Sequence, residues 1–161
     1  MCSSDLFPSH DIIAYDLNKY ENSCFQITTD QDVLKLPRQE GFDGLVTNPP
    51  YFKDLPRKIA EKSISEYDFT GLFVRLTFLE GMKRYKIFTE NPPSDILVMS
   101  DRVKFKEVFP EAIEFDDQIG GMIAYAWIVW NKKATHENTK IQWILLKDEY
   151  DEWRKHYEET K

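Results

Sequence analysis

The chain has 161 residues, 42% hydrophobic and 30% charged, a composition that suits one soluble globular domain and excludes a disordered chain. A formal net charge of −7 argues against a protein whose whole surface grips nucleic acid. No apolar run reaches the roughly 18–20 residues that a bilayer span requires, and no secretory signal is visible, so a cytoplasmic, non-membrane protein is expected.

In chain order, "MCSSDLF" precedes the first credible strand. Residues 2–6, Cys-Ser-Ser-Asp-Leu, look like one translated frame of a common sequencing-adapter tail. Residues 1–9 are therefore expected to be a non-native or truncated leader; a natural short leader is the alternative. "DIIAYDL" (11–17), "CFQITT" (24–29) and "GLVTN" (44–48) read as strands, the last of a buried type. "LPRKIAEKSISEY" (55–67) reads as a helix with Pro56 tolerated in its first turn. "GLFVRLTFL" (71–79) reads as a strand and "EGMKRYKIFTE" (80–90) as a helix. "DILVMS" (95–100), "GMIAYAWIVWN" (121–131) and "KIQWILL" (140–146) read as strands, and "KDEYDEWRKHYEE" (147–159) as a charged helix. Such alternation predicts an α/β fold with a mostly parallel sheet covered on both faces. The stripe Tyr125, Trp127 and Trp130 reads as sheet core.

Cys2 and Cys24 show no metal-ligand spacing, and His10, His136 and His156 are scattered, each expected on the solvated surface. No metal site is expected. Basic residues are unevenly spread: Lys53, Arg57, Lys58 and Lys62, then Arg75, Lys83, Arg84 and Lys86, then Arg102, Lys104 and Lys106. Solvated helix faces and a local nucleic-acid groove both fit that pattern.

The most informative stretch is "GLVTNPPYFKD" (44–54). In open α/β sheets, ligands bind beyond the carboxyl ends of strands, where Asn48 falls. Two prolines stiffen the loop and supply no N–H. Asn48 offers an acceptor oxygen, the Pro49 carbonyl a second, and Tyr51 a flat ring. Two acceptors can bind the two N–H bonds of an exocyclic amino group and pull its nitrogen toward tetrahedral geometry, while Tyr51 stacks on the ring. A second Asn-Pro-Pro, in "ENPPSD" (90–95), follows an amphipathic helix and precedes Ser94, so it reads as a helix terminator.

On Asn48-Pro49-Pro50-Tyr51 the chain resembles the S-adenosylmethionine-dependent amino-methyltransferases, in particular phage-type N6-adenine DNA methyltransferases, over residues 10–133. The resemblance implies a Rossmann-like class I methyltransferase sheet, with residues 10–161 a partial methyltransferase domain. It implies S-adenosylmethionine as cofactor and Asn48, Pro49, Pro50 and Tyr51 as catalytic. "IIAYDL" looks like the family's second strand, giving Asp16 the cofactor's ribose hydroxyls; "TTDQDVLKLP" looks like the adenine-contacting segment, giving Asp32 and the Val33 N–H that role. Asn48 also borders the cofactor side. Each acid has a plainer reading as well, Asp16 as a strand-ending turn residue and Asp32 as a cap.

One departure is plain. The family's glycine-rich turn after the first strand is absent, and that strand normally lies between the second and fourth. A fragment with a lost start, or a partner chain that supplies the strand, would account for it. No separate target-recognition domain is visible, so specificity falls to loops such as 103–121. The expected activity is methylation of adenine in DNA, in the host cytoplasm if phage-encoded. RNA adenine and a protein glutamine amide are the alternative substrates, and a catalytically inactive binding subunit is the alternative of another class.

Overall fold

The computed structural model describes residues 11–18, 27–100 and 123–145. Its elements are β1 (Ala14–Tyr15), β2 (Ile27–Thr28), β3 (Gly44–Thr47), α1 (Leu55–Glu66), β4 (Phe69–Arg75), a 3₁₀ turn (Leu76–Leu79), α2 (Met82–Glu90), β5 (Asp95–Met99), β6 (Tyr125–Asn131) and β7 (Lys140–Ile144). The residues 101–122, which include the specificity loop expected at 103–121, and the terminal helix expected at 147–159 lie outside the described residues.

β4 and β6 form the centre of a five-stranded sheet ordered β3-β4-β6-β5-β7, and β1 pairs with β2 in a separate parallel ribbon. β3 runs parallel to β4, and β5 parallel to β7; β6 runs antiparallel to both its neighbours. The α/β class and a sheet with one reversed strand agree with the expected mostly parallel architecture. β4 is apolar on both faces, as a central strand must be, and its five residues Thr70–Val74 are all buried.

Strand alternation sorts the core into two clusters. Leu72 and Val74 of β4, Ala126, Ile128 and Trp130 of β6, and Ile96 of β5 point to one face. There they meet Ile59, Ala60 and Ile64 of α1 and Ile87 of α2. Phe73, Tyr125 and Met99 occupy the other face with Trp127 beside them. Both described helices thus cover the same face; the helix expected at 147–159 lies outside the described residues. The aromatic stripe is core, but it is split: Tyr125 and Trp127 lie on one face and Trp130 on the other.

Two strand expectations need correction. "GLVTN" is an edge strand, not a buried one, and Val46 is 62% exposed. Its outer edge pairs with none of the described strands. The run 71–79 is not one strand: β4 ends at Arg75, and Leu76–Leu79 turn tightly so that α2 can fold back on the sheet. Arg84 holds that turn, donating to the carbonyls of Phe78 at 2.7 Å, of Thr77 at 3.1 Å and of Glu80, with its guanidinium over the Phe78 ring. Apolar composition was the same in strand and turn, so only these contacts separate them.

α1 buries Ile59, Ala60, Ser63 and Ile64, a stripe at helical spacing. The Ser63 hydroxyl bonds the Ile59 carbonyl at 2.7 Å, which makes its burial tolerable. Among the described residues no helix is long and apolar enough to cross a membrane.

Gly81 precedes α2 with φ 102°, a conformation that side chains disfavour. Gly81→Ala is expected to lower the unfolding free energy by about 1–3 kcal/mol, read from urea denaturation. An unchanged midpoint would mean that the α2 entry has another backbone in solution.

Candidate functional site

Asn48 follows β3 at the carboxyl end of the sheet. β4 ends there at Arg75, and β6 begins there at Tyr125, its register partner. These three strand ends bring Asn48, Tyr51, Arg75 and Tyr125 together. Pro49 is buried while Asn48 and Pro50 are exposed, so the first proline anchors the loop and leaves the amide outside. No described residue donates to the Pro49 carbonyl.

Tyr51 is the most constrained of the group. Its ring packs against both core clusters, so it closes the end of the sheet between the two faces. Its hydroxyl lies 2.5 Å from Asn48 Oδ1 and 3.1 Å from the Phe73 carbonyl oxygen. The ring lies 5.7 Å from the Tyr125 ring, tilted by 44°, and the Arg75 guanidinium sits over it at 5.2 Å. Burial, with a smaller push from Tyr125, raises the hydroxyl's pKa, and the Arg75 charge offsets only part of this. The phenol therefore stays protonated and acts as a donor. Its preferred acceptor is the same Asn48 oxygen that the sequence singles out for a ligand.

The basic residues that follow the motif divide into two sets. Arg57 is tied to Asp54 and to Glu61, Lys62 pairs with Glu66 at 2.5 Å, and Lys86 approaches Glu90 at 3.7 Å. Among the described residues, Lys53, Lys58, Lys83 and Arg75 are in no such pair. Lys53 lies 4.9 Å over the exposed Phe52 ring, and the charges of Lys83 and Lys58 reach Asp54. Lys53, Lys58 and Lys83 thus lie near the segment that follows Tyr51, and Arg75 over its ring.

Asp16 and the Asp32 segment are brought together at the carboxyl end of the β1–β2 ribbon: the Gln31 N–H donates to the Asp16 carbonyl at 3.1 Å. Asp16 Oδ1 accepts the Asn18 N–H at 2.7 Å, and Asp32 Oδ1 accepts the Leu34 N–H at 3.0 Å. Both acids therefore carry a turn role. Val33 is half-buried against the main core. This group and the Asn48 group belong to different sheets.

The second Asn-Pro-Pro lies at the opposite end of the sheet. Asn91 ends α2, and its carbonyl, not its side chain, accepts from Trp130 Nε1 at 2.8 Å. A cleft of about 200 Å³ beside it is lined by Pro92, Pro93, Trp130 and His136. His136 is not a solvated surface residue: its side chain is 21% exposed, with Nε2 2.9 Å from the Ser94 carbonyl and 3.7 Å from Asp95. The Ser94 carbonyl also accepts from the Lys140 N–H, and the Ser94 hydroxyl joins β6, so these polar groups clasp strand ends.

Sequence reasoning did not single out Arg75 or Tyr125 for the site. The signal lay in chain positions that meet only through the β4–β6 register. No family model matches the chain, and comparison with curated proteins and with solved structures returns no match.

Two outcomes are expected. Tyr51→Phe removes the one O–H that faces both Asn48 Oδ1 and the Phe73 carbonyl and should lower unfolding free energy by about 0.5–1.5 kcal/mol in urea titration; an unchanged value would mean that the hydroxyl faces water. The Arg57 guanidinium, bonded to Asp54, holds that carboxyl below its usual value of 3.8, with Lys83 and Lys58 adding to the effect. The pair's contribution is present above 3.8 and fades as pH falls through the lower folded-state value. Asp54→Asn should flatten that acid limb in a plot of unfolding free energy against pH, and a limb of unchanged slope would show the pair to be open in solution.

Proposed function

We propose that the chain carries the substrate-binding side of an S-adenosylmethionine-dependent amino-methyltransferase that acts on the exocyclic amino group of adenine in DNA. The observation that carries this reading is the placement of Asn48 Oδ1, the Pro49 carbonyl and the Tyr51 ring in one stiff loop beyond the carboxyl end of β3. The same tripeptide at 91–93 is used through its backbone at the other end of the sheet.

The nucleoside end of the cofactor fits the β1–β2 ribbon. Asp16 Oδ1 accepts a turn N–H, and a carboxylate is the kind of group that binds two vicinal hydroxyls. Asp32 and the Val33 N–H adjoin it for the adenine edge. For the methionine end, the glycine-rich turn has no counterpart in the sequence. The outer edge of β3, which pairs with none of the described strands and leaves Val46 exposed, supports a Rossmann-like sheet in which a further strand, such as one from a partner chain, lies beside β3.

When bound, the cofactor supplies an electrophilic methyl group. Asn48 Oδ1 and the Pro49 carbonyl accept the two N–H bonds of the amino group and turn its lone pair out of the ring's conjugation. Tyr51 orients the ring. For this, the Tyr51 hydroxyl gives up Asn48 and keeps Phe73. Lys53, Lys58, Lys83 and Arg75 favour a polyanion over a neutral glutamine side chain; they do not separate DNA from RNA. A second reading, a catalytically inactive binding subunit, is favoured by one observation: the chain's own Tyr51 already occupies one of the two lone pairs of Asn48 Oδ1.

Asn48→Ala should abolish single-turnover methyl transfer to adenine-containing DNA in a protein that has the cofactor's full site. Asn91→Ala keeps the carbonyl that Trp130 uses and should leave the rate per folded molecule unchanged. Equal losses in the two variants would misplace the site, and transfer to RNA or peptide alone would change the substrate.

A further inference from the structure

We propose that Arg75 is the second wall of the slot in which Tyr51 holds a planar ring, so that the ring enters between guanidinium and phenol. The inference rests on the function proposed above and names a substrate-contact residue that the Asn48–Tyr51 motif does not contain.

The two walls differ in freedom. Tyr51 is anchored through its hydroxyl to Asn48 and Phe73 and through its ring to both cores. Arg75 is exposed at the last position of β4, and its described contact is the Tyr51 ring, 5.2 Å from its guanidinium carbon. Among the described residues it donates no hydrogen bond and meets no carboxylate. By contrast, Arg57 and Arg84 have their donors engaged by carboxylates and carbonyls. A five-donor group held at the surface by a ring face alone is poised to be moved.

The spacing decides what would move it. Contacting carbon layers lie roughly 3.5–4.0 Å apart, so a flat ring between the two groups needs a separation of about 7–8 Å. Opening from the present distance by roughly 2–3 Å is within the reach of a rotamer change in a long exposed side chain. Exposed cation–π contacts are among the weak ones, and two stacked contacts would replace the one lost. Guanidinium is planar and stacks on rings as an ammonium cannot. Unstacked bases pack on arginine planes in the same way.

The test uses the full chain and two fluorescent single strands, a short oligodeoxyadenylate and its abasic counterpart, with binding read by anisotropy and folding by circular dichroism. The wild type should prefer the adenylate. Arg75→Ala should cut that preference roughly tenfold and change abasic binding far less. Arg75→Lys keeps the charge without the plane and should also lose the preference. Rescue by Arg75→Lys, or equal weakening of both strands by Arg75→Ala, would make Arg75 a phosphate contact and overturn the slot while leaving the proposed function standing. A wild type with no preference for the adenylate would sink the proposed substrate and the slot together.

Discussion

Antiparallel pairing of β4 with β6 over seven residues sets Arg75 against Tyr125 at one end of the sheet and Phe69 against Asn131 at the other. The register is held by packing more than by hydrogen bonds. Leu72, Val74 and Ile128 are almost wholly buried on one face, and each contributes about 1.5–3 kcal/mol by leaving water. A slip of β4 by one residue would turn Leu72 and Val74 to the opposite face and bring Phe73 under the helices. The site inherits the same constraint, since Arg75 and Tyr125 reach Tyr51 only in this register.

At the carboxyl end, three interactions compete for one loop. Tyr51 donates to Asn48, Arg75 covers the Tyr51 ring, and a ligand of the proposed kind would meet the same oxygen and the same ring face. Releasing one neutral hydrogen bond costs about 0.5–1.5 kcal/mol net, and an exposed cation–π contact about 0.5–1 kcal/mol. Stacking one base on an aromatic side chain gives about 1–3 kcal/mol, and the ligand's N–H groups restore the bonding of Asn48. Opening is thus a modest cost that a matching ring can offset and that a ligand without a flat face cannot.

The opposite end shows how far a tripeptide depends on its place. Asn91-Pro92-Pro93 sits between α2 and β5, where the chain needs a stop, and Trp130, Ser94 and His136 bind the ends of neighbouring strands together. Its polar groups are turned on one another. Asn48-Pro49-Pro50 sits where a strand runs out at an edge, with the Pro49 ring buried and the amide left outside. The sheet's edges also differ from its centre in what they ask of side chains. Val46 in β3 and Trp143 in β7 are 62% and 70% exposed, although their composition matches that of buried strands.

The order of helices and strands, the first-turn proline of α1, the terminator at 91–93 and the position of Asn48 at a strand end were legible in the residues, because periodicity, proline and turn chemistry act locally. The acids at 16 and 32 were legible as either turn residues or ligands, and the turn bonds that both make are local too. Strand order, the reversal of β6, the gathering of both helices on one face and the edge position of β3 were not, since none of these changes the pattern within a segment. The break at Arg75 and the half-buried place of His136 were hidden for a related reason: a carbonyl clamp from Arg84 and a backbone partner at Ser94 come from residues far along the chain or across a turn. The sequence by itself determined the loop that offers two acceptors and a ring. Only the tertiary structure decided how Tyr51 is held, between the Phe73 carbonyl and the Tyr125 ring, and that Arg75 lies over it, because those contacts require the loop after β3 to meet the end of β4 and the start of β6.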